Sequence, residues 1–211
     1  MTMSDVAVNA DRRPREKQIL EVAGQFFAQK GFEETSLREI AEVVGMQKPS
    51  LYHYFACKED ILWTLLEAGL TEQLKNAESI LASSAGSSPR ALLRKLLDAH
   101  ANNVDERLDH VRIFLRSYQA LGPERTSKYV DIRNQYVQLF IDLVAKGQRT
   151  RDFAEGDPKI VAYGLLGMYN WMTEWYRVDA GYTARDIHRI WMDTVLHGFT
   201  ADISSERRGS A

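Results

Sequence analysis

The stretch from Ser36 to Phe55 is punctuated as two short helices joined by a tight turn, and that punctuation leaves the chain few ways to fold. Ser36 and Glu39 have the spacing of a capping box, and Leu37, Ile40, Ala41 and Val44 supply an inward stripe behind it. Gly45 ends that helix, and Met46 and Gln47 separate it from a second one whose first turn holds Pro49, where a missing N–H costs nothing. The spacing predicts this second helix over Lys48 to Phe55, with Leu51 and Phe55 pointing inward. Its other side chains, Lys48, Ser50, Tyr52, His53 and Tyr54, form a face of donors and rings without a carboxylate. Such a face suits phosphates and base edges, although two aromatic residues and a histidine in one short helix also fit plain core packing. The context decides between the two. Arg15 to Lys30 places Ile19, Leu20, Ala23, Phe26 and Phe27 at helical spacing, with Gly31 as a stop. The three segments together have the helix, glycine turn, helix order of a DNA reader, with the Pro49 helix as the recognition element.

Charge adds little to this. The 211 residues carry a formal net charge of −2, so no global basic signature points to nucleic acid. Between Arg12 and Lys58 eight basic residues face six acidic ones, a net of +2 that leaves −4 for the remainder. Cys57 is the one cysteine, which excludes an internal disulfide and a cysteine-held zinc, and no cofactor is implied. No apolar run is long enough to span a membrane and Met1 to Ala10 lacks the make-up of a signal peptide, so a cytoplasmic protein is expected, with that start frayed.

The rest of the chain reads as all-α. Pro14, Pro49, Pro89, Pro123 and Pro158 can each open a helix, and no alternating pattern is long enough for a sheet. A long helix from Lys58 to about Ala82 is expected to join two domains, residues 1–57 and 58–211. Beyond a Ser/Gly turn, helices follow from Pro89 to about Asn103, through Val111 to Tyr118, and from Pro123 to about Lys146. Asp157 can cap a helix running through Ile160 to Tyr176 that is apolar on nearly every side and must be buried on more than one face. The last helix, Thr183 to about Phe199, is also rich in apolar residues. A four-helix, two-fold interface between copies would cover both, with Tyr169, Ile187, Trp191, Val195 and Phe199 as interface candidates.

Several motifs in one order carry a family resemblance. They are Phe26-Phe27-Ala28-Gln29-Lys30-Gly31-Phe32, Thr35 through Ala41, Val44-Gly45, and Ser50-Leu51-Tyr52-His53-Tyr54-Phe55 followed by Lys58-Glu59-Asp60. From Arg15 to about Leu66 the chain resembles the N-terminal domain of the TetR family of transcriptional regulators. The resemblance implies an all-α dimer in which a three-helix DNA-binding domain is joined by a long helix to a helical ligand-binding and dimerisation domain. It further implies a double-stranded operator as partner, a small effector, repression relieved by that effector, and no catalytic residues. By the same resemblance Thr35 or Ser36 would touch phosphate, Lys48, Pro49, Ser50 and His53 would face bases, and Tyr52, Tyr54 and Lys58 would hold the backbone. Cys57 departs from the family's usual Ser, Asn or Asp at that point. A thiol is a poor cap, and Cys57 reads either as a tolerated small residue or, beside Lys58 at a helix start, as a thiol of lowered pKa that serves as a redox switch.

The interior between Pro89 and Arg177 is strongly aromatic and suggests an apolar effector pocket, with Phe114, Tyr118, Arg133, Tyr136, Phe140, Trp171, Trp175 and Arg177 as candidates. Arg133-Asn134, with Trp171-x-x-x-Trp175-Tyr176-Arg177, is similar to regulators of fatty-acid and steroid catabolism, which implies an acyl-CoA thioester held through Arg133 or Arg177. An aromatic or cationic drug is the other effector class. Two rival readings are an enzyme and a helical dimer that never touches DNA. Against the first, G-x-S-x-G, H-E-x-x-H and a phosphate-cradling glycine loop are all missing, and no two of the five histidines are three or four residues apart. Sequence-specific binding that weakens steeply with salt would separate a regulator from both.

Overall fold

The computed structural model of the protein describes residues 3–106, 108–177 and 181–197, apart from the side chains of residues 3–12, 105, 106, 109, 110 and 114. Its regular elements are α1 (Met3–Lys30), α2 (Leu37–Val44), α3 (Lys48–Leu51), α4 (Lys58–Ser83), α5 (Pro89–Glu106) and α6 (Leu108–Ser117) with a 3-10 turn at Tyr118–Ala120, then α7 (Pro123–Arg149), α8 (Pro158–Trp175) and α9 (Ala184–His197). The fold is all-α. None of these helices is long and apolar enough to cross a membrane.

Most boundaries follow from local chemistry. Asp157 Oδ1 accepts from the amides of Lys159 at 2.8 Å and Ile160 at 3.3 Å, which opens α8 beside Pro158. Thr183 and Asp186 cap α9 reciprocally, each amide bonding the other's side chain at 3.1 Å. Gly31 and Gly45 end α1 and α2 at φ of 94° and 72°, the left-handed region that only glycine enters cheaply. The start of the chain differs from expectation. α1 begins at Met3, so Pro14 lies inside it and the segment expected to fray is helical as far as it is described. Proline removes one i→i−4 bond, and good helix formers such as Ala7, Ala10, Arg12 and Arg13 carry the helix past it.

Three clusters form the interior, and the first crosses the expected domain border. Ile19, Ala23, Phe27, Ile40, Val44 and Leu51 pack with Ile61, Leu62, Leu66 and Leu70 of α4, and with Ile113, Leu121 and Tyr129 from α6 to α7. The first half of α4 is therefore core to the N-terminal unit, and a cut between residues 57 and 58 divides one hydrophobic cluster. A second cluster joins α5, α7 and α8 around Leu97, Tyr136, Phe140, Leu166 and Tyr169. A third, smaller one joins Val104, Val111, Met172, Tyr176 and Ile187.

Candidate DNA-binding face and effector cavity

The reading face is held by buried residues behind it. Ser36 caps α2 and receives the reverse bond, with Glu39 N to Ser36 Oγ at 3.3 Å and Ser36 N to Glu39 Oε2 at 2.9 Å. Hydrogen bonds from Lys30 and then Ser36 hold the Glu39 carboxyl down to about 2, so this cap keeps its charge at any working pH. At the turn, Gly45 N donates to Glu42 O at 3.2 Å and Met46 N to Ala41 O at 2.8 Å, the double closure of a left-handed helix end. Next comes α3, shorter than predicted. It stops at Leu51, and Tyr52 to Tyr54 continue as a turn with i→i+3 bonds from His53 N to Ser50 O at 3.3 Å and Tyr54 N to Leu51 O at 2.9 Å. Leu51 is wholly buried and Phe55 nearly so, as the spacing predicted. Burying Leu51 is worth about 1.5–3 kcal/mol, which pins the turn to the core. Lys48, Pro49, Tyr52 and His53 are exposed on that face, Ser50 and Tyr54 are half-buried, and the Lys48 ammonium lies 5.9 Å from the centre of the Tyr52 ring.

Two expected phosphate contacts have other partners. Thr35 is buried and donates to Gly31 O at 2.8 Å, closing the α1–α2 loop, whereas Ser36 stays exposed. Lys58 Nζ donates to Phe32 O at 2.6 Å and Glu33 O at 3.2 Å and lies 4.2 Å above the Phe32 ring. It clips the same loop to the start of α4. Cys57 fits the tolerated small residue rather than the redox switch. Burial first, then the neighbouring Glu59 and Asp60 carboxylates, push its thiol up, and the Lys58 ammonium that would have lowered it is turned toward the loop carbonyls. Cys57 and Asp60 form a reciprocal capping box at the start of α4: the thiol faces the Asp60 amide, and Asp60 Oδ2 accepts from Ala56 N at 3.0 Å and Cys57 N at 3.1 Å. Asp60 Oδ1 also takes Arg125 from the start of α7, joining the two units.

Between α4, α5, α6, α7 and α8 lies a cavity of about 540 Å³. Its walls are mainly apolar, with Leu65, Leu66, Val104, Val111, Leu115, Val137 and Leu166, and Leu20 reaches it from α1. Tyr118 and Tyr129 stack in its wall with centroids 4.7 Å apart. Its polar side is one cluster drawn from four helices. His100 Nδ1 lies 2.9 Å from both Gln73 Nε2 and Tyr136 OH, and His100 Nε2 lies 3.1 Å from Asn170 Oδ1. Burial pushes the His100 imidazole down to about 4, so the ring is neutral near pH 7. Glu72 and Arg133 are the charged residues that line this cavity, and among the described residues no carboxylate is paired with Arg133.

Of the expected pocket residues, Tyr118, Arg133 and Tyr136 line the cavity. Phe140 does not, because it is wholly buried behind Tyr136 in the second cluster. Trp171 and Trp175 lie on the surface, 66% and 45% exposed, and Arg177 is spent on Glu174 O and Tyr176 O. The Phe114 side chain lies outside the described residues. The sequence reading missed Gln73, His100 and Asn170. The available signal was polarity out of place, since His100 falls among the inward Leu96, Leu97, Ala101 and Val104, and Gln73 beside the inward Leu70 and Leu74.

The expected dimer residues also change places. Tyr169 is wholly buried, with its hydroxyl 2.8 Å from His188 Nδ1, and Ile187 is buried in the third cluster, so both serve their own subunit. Trp191 is half-buried against Tyr169, Val195 is exposed, and Phe199 lies outside the described residues. Among the described residues of these two helices, the exposed large apolar side chains are Ile160, Val161, Tyr163, Trp171 and Trp175 on α8, with Ile190 and the expected Val195 on α9.

A helix-turn-helix with a carboxylate-free outer face, tied by one helix to a hollow helical bundle, makes up a DNA-binding regulator that can respond to a ligand. The chain belongs to the TetR family: residues 19–63 match the model of bacterial regulatory proteins of the tetR family, and residues 86–199 match the tetracyclin repressor-like C-terminal domain. It is a TetR-family transcriptional regulator. Among its relatives, the transcriptional repressor KstR2 of Mycobacterium tuberculosis is 27% identical over 190 residues, covering 89% of this chain and 94% of that one. The solved structure of the regulator PfmR from Thermus thermophilus is 30% identical with a TM-score of 0.80, covering 87% of this chain and 99% of that chain. AibR, solved in complex with isovaleryl coenzyme A and operator DNA, is 25% identical with a TM-score of 0.78, covering 88% and 100%.

Proposed function

We propose that the protein is a homodimeric repressor that binds a near-palindromic operator and releases it when an acyl-CoA thioester enters the cavity. The observation that carries this is the cavity itself: about 540 Å³ of mainly apolar space in which α4, the helix leading to the reading face, forms one wall from Thr64 to Gln73. The acyl part would lie against Leu65, Leu115 and Leu166, and Arg133 would meet a CoA phosphate. The complex of AibR with isovaleryl coenzyme A supports this effector class. A ligand acts only through its different affinity for the DNA-competent and incompetent arrangements, and a coupling of about 1–3 kcal/mol would weaken operator binding roughly 5- to 150-fold.

On the DNA, Lys48, Pro49, Ser50 and His53 would face bases, Ser36, Tyr52 and Tyr54 would hold the backbone, and Thr35 and Lys58 would set the loop that positions them. Dimerisation would use the exposed stripe of α8, where Gly164 and Gly167 let a second helix approach closely between Ile160 and Trp171. The two reading faces would then stand about 34–36 Å apart, or a multiple of that.

The test is release of labelled operator at fixed salt, measured with acyl-CoAs of several chain lengths, the matching free acids and cationic dyes. Wild type should respond to thioesters, and Leu166→Trp, which fills the cavity, should bind operator without responding. Release by dyes and by no thioester would reject the acyl-CoA assignment.

A further inference from the structure

The cavity's polar cluster contains one more donor hydrogen than its acceptors can serve. The His100 ring is neutral, and its Nε2 faces Asn170 Oδ1 at 3.1 Å, which places the ring proton there and leaves Nδ1 with a single in-plane lone pair. Gln73 Nε2 and the Tyr136 hydroxyl both stand 2.9 Å from that lone pair. The hydroxyl can give its hydrogen to Nδ1 and take one hydrogen of the Gln73 amide on its own oxygen, which leaves the second Gln73 hydrogen without an acceptor in the cluster, inside an apolar cavity where a badly placed polar hydrogen is costly. An oxygen that accepted it would be bound at little loss to the cluster.

We propose that Gln73, Tyr136 and His100 read a neutral carbonyl oxygen on the effector, the carbonyl taking the Gln73 hydrogen that the cluster leaves over. The inference rests on the cavity being the effector site and names the chemical group recognised there. The cluster carries no positive charge, so a carboxylate at this point would lose its hydration without a counter-ion, whereas a thioester, ketone or ester oxygen would not. The same contact acts on the DNA-binding unit. Gln73 lies on α4 and His100 on α5, so a carbonyl that draws the Gln73 amide away from His100 loosens a bond between the helix that carries the reading face and the bundle that holds it.

Calorimetric titration of the full chain with two matched pairs of ligands tests this. One pair is a branched five-carbon acyl-CoA and the S-alkyl-CoA in which CH2 replaces the carbonyl. The other contains no CoA and consists of a medium-chain methyl ketone and the alkene in which CH2 replaces its oxygen. In wild type the carbonyl member of each pair should bind about 3- to 10-fold more tightly, the scale of one hydrogen bond. Tyr136→Phe and Gln73→Leu, checked for unchanged helicity, should bring the ratio within each pair close to 1, whatever they do to the affinity of both members together. A preference within the ketone pair without binding of either CoA ligand would support carbonyl reading and sink the acyl-CoA assignment. Equal binding within both pairs, a ratio that survives in both variants, or binding of none of the four ligands would overturn the inference.

Discussion

Acidification should destabilise this protein through His100, and the size of the effect follows from where the ring sits. Burial lowers its pKa from the ordinary 6.5 to about 4. A folded-state value below the unfolded one means that the unfolded chain binds the proton first. The stability contribution is therefore complete above about pH 6.5, falls as pH drops toward 4, and is fully lost below that. The full span of the shift corresponds to about 3 kcal/mol, and between pH 7 and pH 5 linkage gives a loss of about 2 kcal/mol. His188 is shifted in the same direction by burial, and Asp60, held down against its own burial by Arg125, adds acid sensitivity at lower pH. A double difference isolates His100 from both. Urea unfolding of wild type and His100→Gln at pH 7 and pH 5, at equal protein concentration and ionic strength, should show wild type losing about 2 kcal/mol more than the variant. Gln keeps an amide for Asn170, so the variant is expected to be somewhat less stable at pH 7 and flatter in its response. Equal losses in the two proteins would refute the argument and with it the neutral, buried imidazole on which the tautomer assignment depends.

Lys48→Ala should cost roughly 1–3 kcal/mol of operator affinity and relax specificity, measured by anisotropy on operator and random DNA. Lys58→Ala should instead lower thermal stability and leave the salt slope of DNA binding unchanged, because its ammonium is committed to Phe32 O and Glu33 O; a slope reduced by about 1 would restore the phosphate contact. Trp171→Asp, on a ring that is 66% exposed, should give a folded monomer in sedimentation at micromolar concentration that no longer binds operator. A dimer that persists would move the interface off α8.

The sequence by itself determined the helices that are closed by local chemistry. Ser36 with Glu39, Asp157 with Pro158, and the glycines at 31 and 45 act within a few residues of themselves, so their effect is present in the string. Leu51 and Phe55 could be placed inside because a helical period and a hydrophobic side chain suffice to say so. The outward face of the turn was legible for the same reason: Lys48, Pro49, Tyr52 and His53 are what remains exposed once the anchors are buried. What only the tertiary structure decided was which of several apolar neighbours claimed each ring. Tyr169, Ile187, Trp171 and Trp175 all read as apolar residues on apolar helices, yet the first two are enclosed by their own subunit and the last two are left on the surface. Helical periodicity gives the face of a residue but not the helix opposite it. A pocket was expected, but most of its walls were hidden for a stronger reason, since a void is defined by the positions of α4 to α8 together, and its polar cluster assembles from residues as far apart as Gln73 and Asn170. The loop partners of Lys58 and Thr35 were hidden on the same ground, because a backbone carbonyl waiting across a loop leaves no trace in the identity of the side chain that reaches it.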